Sequence, residues 1–315
     1  MLKNPLVSII LPLYNKKGYV RKAVQSIQDQ TYGNWELIVV NDGSSDGSEN
    51  EVPASDKRIR LFHQKNSGPG AARNRGIREA KGQLVTFLDA DDHYYPQKLE
   101  KETKLLAETS EVDWMLSAKH YEINNEVRLQ KICDINGKEI SKSSIIIKDA
   151  VQQLSINWHI NSLCIKRSLL SLIKGFRESM RCYEVTDFYY RCALIRPMVV
   201  IYSLPLSRQV DVPMSTFKDS DHRIEGLRQL GENLFNLSND HSNYSSRLLE
   251  VSRDIMLDYS GKLILSGEKI KSRQFLVDHF IYEKNLKWWK MFFASWLPDR
   301  IIKRIYTDRY AFTCV

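Results

Sequence analysis

Gln83-Leu84-Val85-Thr86-Phe87-Leu88-Asp89-Ala90-Asp91-Asp92 decides the reading of this chain. A short apolar run, rich in strand formers, stops in three carboxylates within four positions. Such runs mark buried strands. Carboxylates this close repel one another unless positive charge sits among them. At the C-terminal end of a parallel strand the counter-charge is usually a ligand or a metal, because binding crevices of open α/β sheets lie there.

Working outward, strand and helix signals alternate. Val7 to Leu11 reads as a first buried strand ended by Pro12, and residues 18 to 28 carry apolar positions at helical spacing. Trp35 to Val40 is a second strand, stopped by the turn cluster Asn41-Asp42-Gly43-Ser44-Ser45-Asp46-Gly47-Ser48. Ile59 to His63 is a third, followed by a Gly-rich loop and a helix from Pro69 or Ala71 through Ala80. The opening stretch is the fourth, residues 96 to 109 form a charged helix, and Val112 to Leu116 is a fifth strand. Strand–helix alternation with short connections predicts an α/β fold with a mostly parallel sheet. The ends of its strands then bring Tyr14, Asp42, Asp89 and Asp91 to one edge.

Beyond residue 118 the regularity fades. Residues 119 to 145 read as a hairpin or loop excursion, and 150 to 173 mixes helix and strand signals. Tyr183 to Leu194 is helical, Met198 to Ser203 strand-like, and 222–238, 244–266 and 268–283 read as amphipathic helices. The expected organisation is a first, regular α/β half over 1–118, a second half over 119–215, and a helical region with an amphipathic tail over 216–315.

The chain has 315 residues, 43% of them hydrophobic, enough for a large core. Lys and Arg outnumber Asp and Glu by 46 to 38, a net charge of +8, which favours an anionic partner. The five cysteines form no CxxC pair, so reduced, buried thiols in a cytoplasmic setting are expected. The N-terminus runs straight into a strand without the apolar length of a signal peptide. No apolar run reaches the roughly 18 residues of a membrane span.

The tail from 284 to 310 sets Trp288, Trp289, Phe292, Phe293 and Trp296 among lysines and arginines. That pattern suits a helix lying at an anionic membrane interface, here the inner face of the membrane, or one packed on protein. Basic residues gathered in an aromatic tail rather than along a groove argue against nucleic acid.

Asp-x-Asp at a strand end suits Mn²⁺ or Mg²⁺, which prefer oxygen ligands shared with phosphates. Asp42 lies in a turn where Ser44, Ser45 and Asp46 can cap, leaving its carboxylate free for a ribose hydroxyl or a base. Arg73 and Arg75 open a helix after a Gly-rich loop, a place that attracts phosphates. Gly68-Pro69-Gly70 matches neither a dinucleotide fingerprint nor a P-loop. Glu184 and Asp187 share one helix face, as a general base or as an ion-paired surface. His159, beside Trp158, reads as a core or loop histidine rather than a ligand.

Four stretches taken together resemble glycosyltransferase family 2, of the GT-A fold. They are Val7-Ser8-Ile9-Ile10-Leu11-Pro12-Leu13-Tyr14-Asn15, Val40-Asn41-Asp42-Gly43-Ser44-Ser45-Asp46-Gly47-Ser48, Asn66-Ser67-Gly68-Pro69-Gly70-Ala71-Ala72-Arg73-Asn74-Arg75-Gly76 and Phe87-Leu88-Asp89-Ala90-Asp91-Asp92. The resemblance implies inverting, metal-dependent transfer of a sugar from a nucleotide-sugar, a UDP-sugar first, to a glycan or lipid-linked acceptor in surface polysaccharide synthesis. By that resemblance Pro12 and Tyr14 line the base, Asp42 hydrogen-bonds it, and Arg73 lies near the nucleotide. Asp89 faces ribose and diphosphate and is a second metal ligand after Asp91. Asn15, Asn66, Gly68 and Ala90 of the same motifs count with the nucleotide-sugar site.

The base of the family lies in a Glu-Asp pair ahead of an Arg. Here Tyr183-Glu184-Val185-Thr186-Asp187-Phe188-Tyr189-Tyr190-Arg191 keeps Glu184 and Arg191 but has Val185 in place of the Asp. Glu184 is the first candidate for the base and Asp187 the second. Two rivals follow: a non-catalytic nucleotide-sugar-binding partner, and a nucleotidyltransferase, whose Gly/Arg/Lys loop is replaced here by Tyr14-Asn15-Lys16-Lys17.

Overall fold

The computed structural model describes residues 3–123, 126–132, 142–153, 158–212, 220–280 and 292–297. The chain forms two compact units, residues 1–215 and 216–315. The first holds both expected halves on one sheet.

β1 (Val7–Leu13), β2 (Trp35–Asn41), β3 (Ile59–His63) and β4 (Leu84–Phe87) run parallel in the order β3-β2-β1-β4. All seven residues of β2 are buried, as a strand covered on both faces requires. The covers include α1 (Val20–Gln28), which buries Val20, Ala23, Val24 and Ile27, and α2 (Pro69–Glu79). α2 lies so close to β1 that a Cβ on Gly76 would come within 2.4 Å of the Ile10 side chain. Only glycine permits that approach.

Pro12 does not end β1, contrary to expectation. β4 pairs only with Val7 to Ile10, so at Pro12 one side of β1 has no neighbour to bond and the missing N–H is tolerated.

Past β4 the sheet becomes mixed. β6 (Trp114–Ile123) is not the neighbour of β4: β9 (Leu163–Lys166) inserts between them, antiparallel to both. β10 (Val199–Gln209) runs parallel to β6, and the short β5 (His93–Tyr94) pairs antiparallel with its far end. β7 (Glu126–Leu129) forms a hairpin with β6, and β8 (Ser144–Ile147) pairs with β10. Part of the expected 119–145 excursion, residues 124–125 and 133–141, lies outside the described residues.

Helices α3 (Lys98–Glu108), α4 (Ala150–Gln153), α5 (Arg167–Ile173) and α6 (Glu184–Ile195) complete the first unit. In α3, Lys98 and Glu102 form an ion pair that is almost wholly buried, with the Lys98 ammonium 4.7 Å from the Tyr94 ring. Burial raises the Glu102 carboxyl to about 7, against the pull of Lys98. Cys164, Cys182 and Cys192 are buried, as expected of reduced thiols; Cys133 and Cys314 lie outside the described residues.

The second unit is helical: α7 (Ser220–Asp240), α8 (Ser245–Leu265) and α9 (Lys269–Phe280). Met256, Leu257, Phe275 and Leu276 form one buried cluster in it, with Phe292 packed against them. Of the aromatic tail only residues 292–297 are described. Phe293 and Trp296 are 59% and 65% exposed there, and Arg273 stacks on Trp296 at 4.1 Å. Among the described residues no helix is long and apolar enough to cross a membrane.

Candidate active site

The ends of β1, β2 and β4 deliver their residues to one edge of the sheet. Tyr14 follows β1 and is 47% exposed, an open aromatic face. Asn15, at φ 49°, turns the chain sharply, and its side chain accepts a hydrogen bond from Ser45 N while its N–H donates to Ser44 Oγ. Asparagine tolerates this left-handed conformation better than most residues. The loops after β1 and β2 are thereby tied together.

Asp42 is not left free. Its Oδ1 accepts from Gln64 Nε2 and Ser67 N, and its Oδ2 from Gly68 N, at 2.8–2.9 Å. Gly68 is the N-cap of α2, so Asp42 holds the loop that contains Asn66 against the start of that helix. The carboxylate therefore braces this loop.

At the end of β4 each carboxylate has a different environment. Arg73 Nη2 donates to Asp89 Oδ1 at 2.9 Å, and Asn161 Oδ1 accepts from Asp89 N at 3.0 Å. Burial pushes Asp89 up, yet Arg73, His159 and Lys16 outweigh it and its pKa is lowered. Lys16 Nζ donates to Asp91 Oδ2 at 2.6 Å. Burial, opposed by Lys16 and aided by the Asp89 charge, raises Asp91. Asp92 is 3% exposed, and accepts from Asn161 Nδ2 at 2.6 Å and from Val210 N at 2.7 Å. Burial together with its two acidic neighbours raises it well above the usual carboxylate range. Asp92 thus fastens the turn to the residues just before β9 and just after β10, and Ala90 is buried.

His159 Nε2 lies 3.5 Å from Asp89 Oδ2. Asp89, Asp92 and His159 offer ligand atoms within 4.8 Å of one another. Burial, then the nearby Lys119 charge, lower His159 to about 3, so its imidazole is neutral, the form that ligates metals. Oxygen with one imidazole nitrogen fits Mn²⁺ well and Mg²⁺ less well. His159, expected as a core or loop residue, caps the short turn before β9 and also faces the acidic cluster. The set also differs from Asp89 with Asp91, because Asp91 is turned to Lys16.

Opposite the cluster stands Glu184, the first residue of α6. Tyr183, at φ 63°, turns the chain into that helix, an uncommon conformation for a bulky residue. Arg73 Nη1 donates to Glu184 Oε1 at 2.7 Å, so one buried guanidinium joins Glu184 to Asp89. Burial raises the Glu184 carboxyl against the pull of Arg73. The next residue of α2, Asn74, accepts from Phe176 N and donates to Phe176 O and to Glu178 Oε1, tying down the segment that leads to α6. Gly175 (φ 73°) is needed there, since a Cβ would fall 2.3 Å from Asn74 Oδ1.

Asp187 is not beside Glu184 in function. It is fully buried between Arg177 Nε at 3.0 Å and Arg191 Nε at 2.8 Å, and Arg191 Nη1 goes on to the Ile173 and Gly175 carbonyls. A carboxylate in that network ties α6 to the segment that precedes it. The alternative base Asp187 is therefore placed between two arginines, away from the Arg73 bridge that holds Glu184.

The sequence reading assigned no site role to Lys16, Asn161 or Arg177. Lys16 sits in the quoted first motif's continuation, but no spacing ties it to Asp91, 75 residues away. Asn161 arrives through the antiparallel insertion of β9, which strand periodicity does not reveal.

The family model for glycosyl transferase family 2 matches residues 8–174, more than half of the chain. The chain belongs to that family. An uncharacterised glycosyltransferase of Rickettsia felis is 33% identical over 225 residues, 70% of this chain and 37% of that protein. TuaG of Bacillus subtilis, which carries a provisional assignment to teichuronic acid biosynthesis, is 40% identical over 110 residues, 34% of this chain and 44% of its own length. The chain therefore spans less than half the length of these two relatives.

Among solved structures, S. aureus TarS residues 1–349 in complex with UDP-GlcNAc superposes with a TM-score of 0.67 at 16% identity, covering 96% of this chain and 91% of that one. The mannosyltransferase PcManGT from Pyrobaculum calidifontis, in complex with GDP-Man and Mn²⁺, gives 0.59 at 18% identity, covering 97% and 88%. At these identities the likeness establishes the GT-A fold.

Proposed function

We propose that this chain transfers a sugar, with inversion, from a nucleoside-diphosphate sugar to a hydroxyl of a glycan or lipid-linked glycan. The observation that carries the reading is Arg73, which holds Glu184 and Asp89 on one guanidinium. In an in-line displacement the acceptor hydroxyl and the leaving diphosphate lie on opposite sides of the anomeric carbon. A single cation joining the proposed base to the proposed diphosphate-facing residue sets that spacing.

Tyr14 and Pro12 take the base, and the Asp42-braced loop with Asn66 and Gly68 bounds the nucleotide, with Asn15 and Ala90 in the same wall. Glu184 takes the acceptor proton. Its raised pKa makes it a stronger base than an ordinary surface carboxylate while Arg73 keeps it ionised. Asp91 and Asp89 are the residues to hold a divalent ion, with His159 and Asp92 converging on Asp89 as further ligands. Mn²⁺ or Mg²⁺ there supplies Lewis acidity to the departing diphosphate.

UDP-sugars are the first donors to test, since TarS was solved with UDP-GlcNAc, while GDP-Man in PcManGT keeps other nucleotides open. A role in surface polysaccharide synthesis is consistent with the provisional assignment of TuaG. The same reading places the protein in the cytoplasm with its acceptor at the inner face of the membrane, in reach of the 284–310 tail. The test is nucleoside-diphosphate release from a panel of nucleotide-sugars, with and without Mn²⁺. Release that requires Mn²⁺ supports the reading. Tight binding without turnover favours the non-catalytic partner, which Val185 motivates. Pyrophosphate release from a nucleoside triphosphate would identify a nucleotidyltransferase.

A further inference from the structure

Lys16 and Asp91 are 75 residues apart, yet the ammonium lies 2.6 Å from the carboxylate, and the two side chains are only 16% and 13% exposed. The backbone around Lys16 is pinned: Asn15 N donates to Ser44 Oγ, Lys17 N to Asp46 Oδ2, and Gly18 N to Glu51 Oε2. The head group, by contrast, sits on a flexible four-carbon stem, so it can move while its anchor stays. At this edge Arg73 is shared by Asp89 and Glu184, and Lys16 is the cation that holds Asp91. A divalent ion at Asp91 therefore has to replace Lys16, and the ammonium it displaces is left on the loop that follows Tyr14.

We propose that Lys16 is a diphosphate-binding residue held in reserve on Asp91: it releases the carboxylate to an incoming divalent ion and binds the donor's diphosphate instead. This rests on the reading that the Asp-x-Asp carboxylates hold an ion beside a nucleoside diphosphate. The exchange makes the free protein a weak metal binder and makes ion and nucleotide bind together. A like charge moves away from the ion, and an opposite charge is gained by the phosphates.

Two binding measurements on the full chain test it, neither of them an activity. Free Mn²⁺ is followed by its paramagnetic resonance signal in a titration without nucleotide. UDP binding is followed by calorimetry at saturating Mn²⁺. Lys16→Met should bind Mn²⁺ alone roughly tenfold more tightly and UDP with Mn²⁺ roughly tenfold more weakly. Lys16→Arg should restore both toward wild type. Opposite signs are the signature, because damage to the loop weakens both. Unchanged or weaker Mn²⁺ binding by Lys16→Met, in a protein that binds Mn²⁺, overturns the exchange and leaves the metal reading standing. Unchanged UDP affinity overturns the diphosphate role. No Mn²⁺ binding by either protein, with or without UDP, overturns the metal reading and this proposal with it.

Discussion

Arg73 donates to Glu184 at 2.7 Å and is itself only 4% exposed, so the proposed base is held by a cation that water hardly reaches. The same guanidinium holds Asp89. Arg73→Met leaves two carboxylates facing each other without their shared counter-charge. We expect a fall in kcat of about 10²-fold or more, by analogy with loss of one preorganised donor. Arg73→Lys keeps the charge but cannot bridge two partners and should recover only part of it. Steady-state rates of both variants, with circular dichroism as the folding control, check this.

The raised pKa of Glu184 sets the sign of a pH effect. A base works ionised, so the rate falls as pH drops through that pKa. Because burial places it above the ordinary glutamate value of about 4.3, the acid limb of kcat should lie above that value too. A profile of kcat against pH should show this limb in the wild type.

Asp187 is expected to matter for stability rather than chemistry. Asp187→Asn removes the charge between Arg177 and Arg191 and should cost about 3 kcal/mol, at the low end for a broken buried pair because Arg177 is 41% exposed. Denaturant unfolding measures that loss. The kcat of the folded variant should stay within a factor of about five. A collapse of kcat without loss of stability would restore Asp187 as a candidate base.

Lys98 and Glu102 offer a sharper contrast. Lys98→Met leaves a buried carboxylate without its cation and should destabilise by about 3–5 kcal/mol, whereas Lys98→Met with Glu102→Leu should recover most of that. A double-mutant cycle in urea reads the coupling.

The described part of the tail gives a membrane test. Phe293 and Trp296 are exposed, whereas Ala294 is buried and Phe292 packs on the core, so the exposed pair can be changed without emptying that core. Phe293→Ser with Trp296→Ser should shift the protein from anionic vesicles to the supernatant on sedimentation. Unchanged sedimentation would assign the exposed aromatics to another purpose.

The parts of the site legible in the sequence are those written in one local stretch. The run from Gln83 to Asp92 shows both the strand and its acidic end because burial and charge change within ten residues. Asp42 announced a turn, but the chain places Gln64, Ser67 and Gly68 on it, and no periodicity encodes those bonds. His159 and Asn161 reach the cluster because β9 runs antiparallel between β4 and β6, which brings Asn161 onto Asp89 from 72 residues away. Asp187 illustrates the limit from the other side. Helical spacing placed it on the same face as Glu184, but the two arginines that claim it come from the segment before α6 and from the next turn.

The central claim is that Glu184, held by Arg73, takes the acceptor proton. It is tested most directly with Glu184→Gln, measured for UDP affinity by calorimetry and for turnover on whichever nucleotide-sugar the panel identifies. The account predicts UDP binding within about threefold of wild type, turnover lower by about 10²–10⁴-fold, and loss of the acid limb from the pH profile. Turnover unchanged by Glu184→Gln, with UDP still bound, would contradict it.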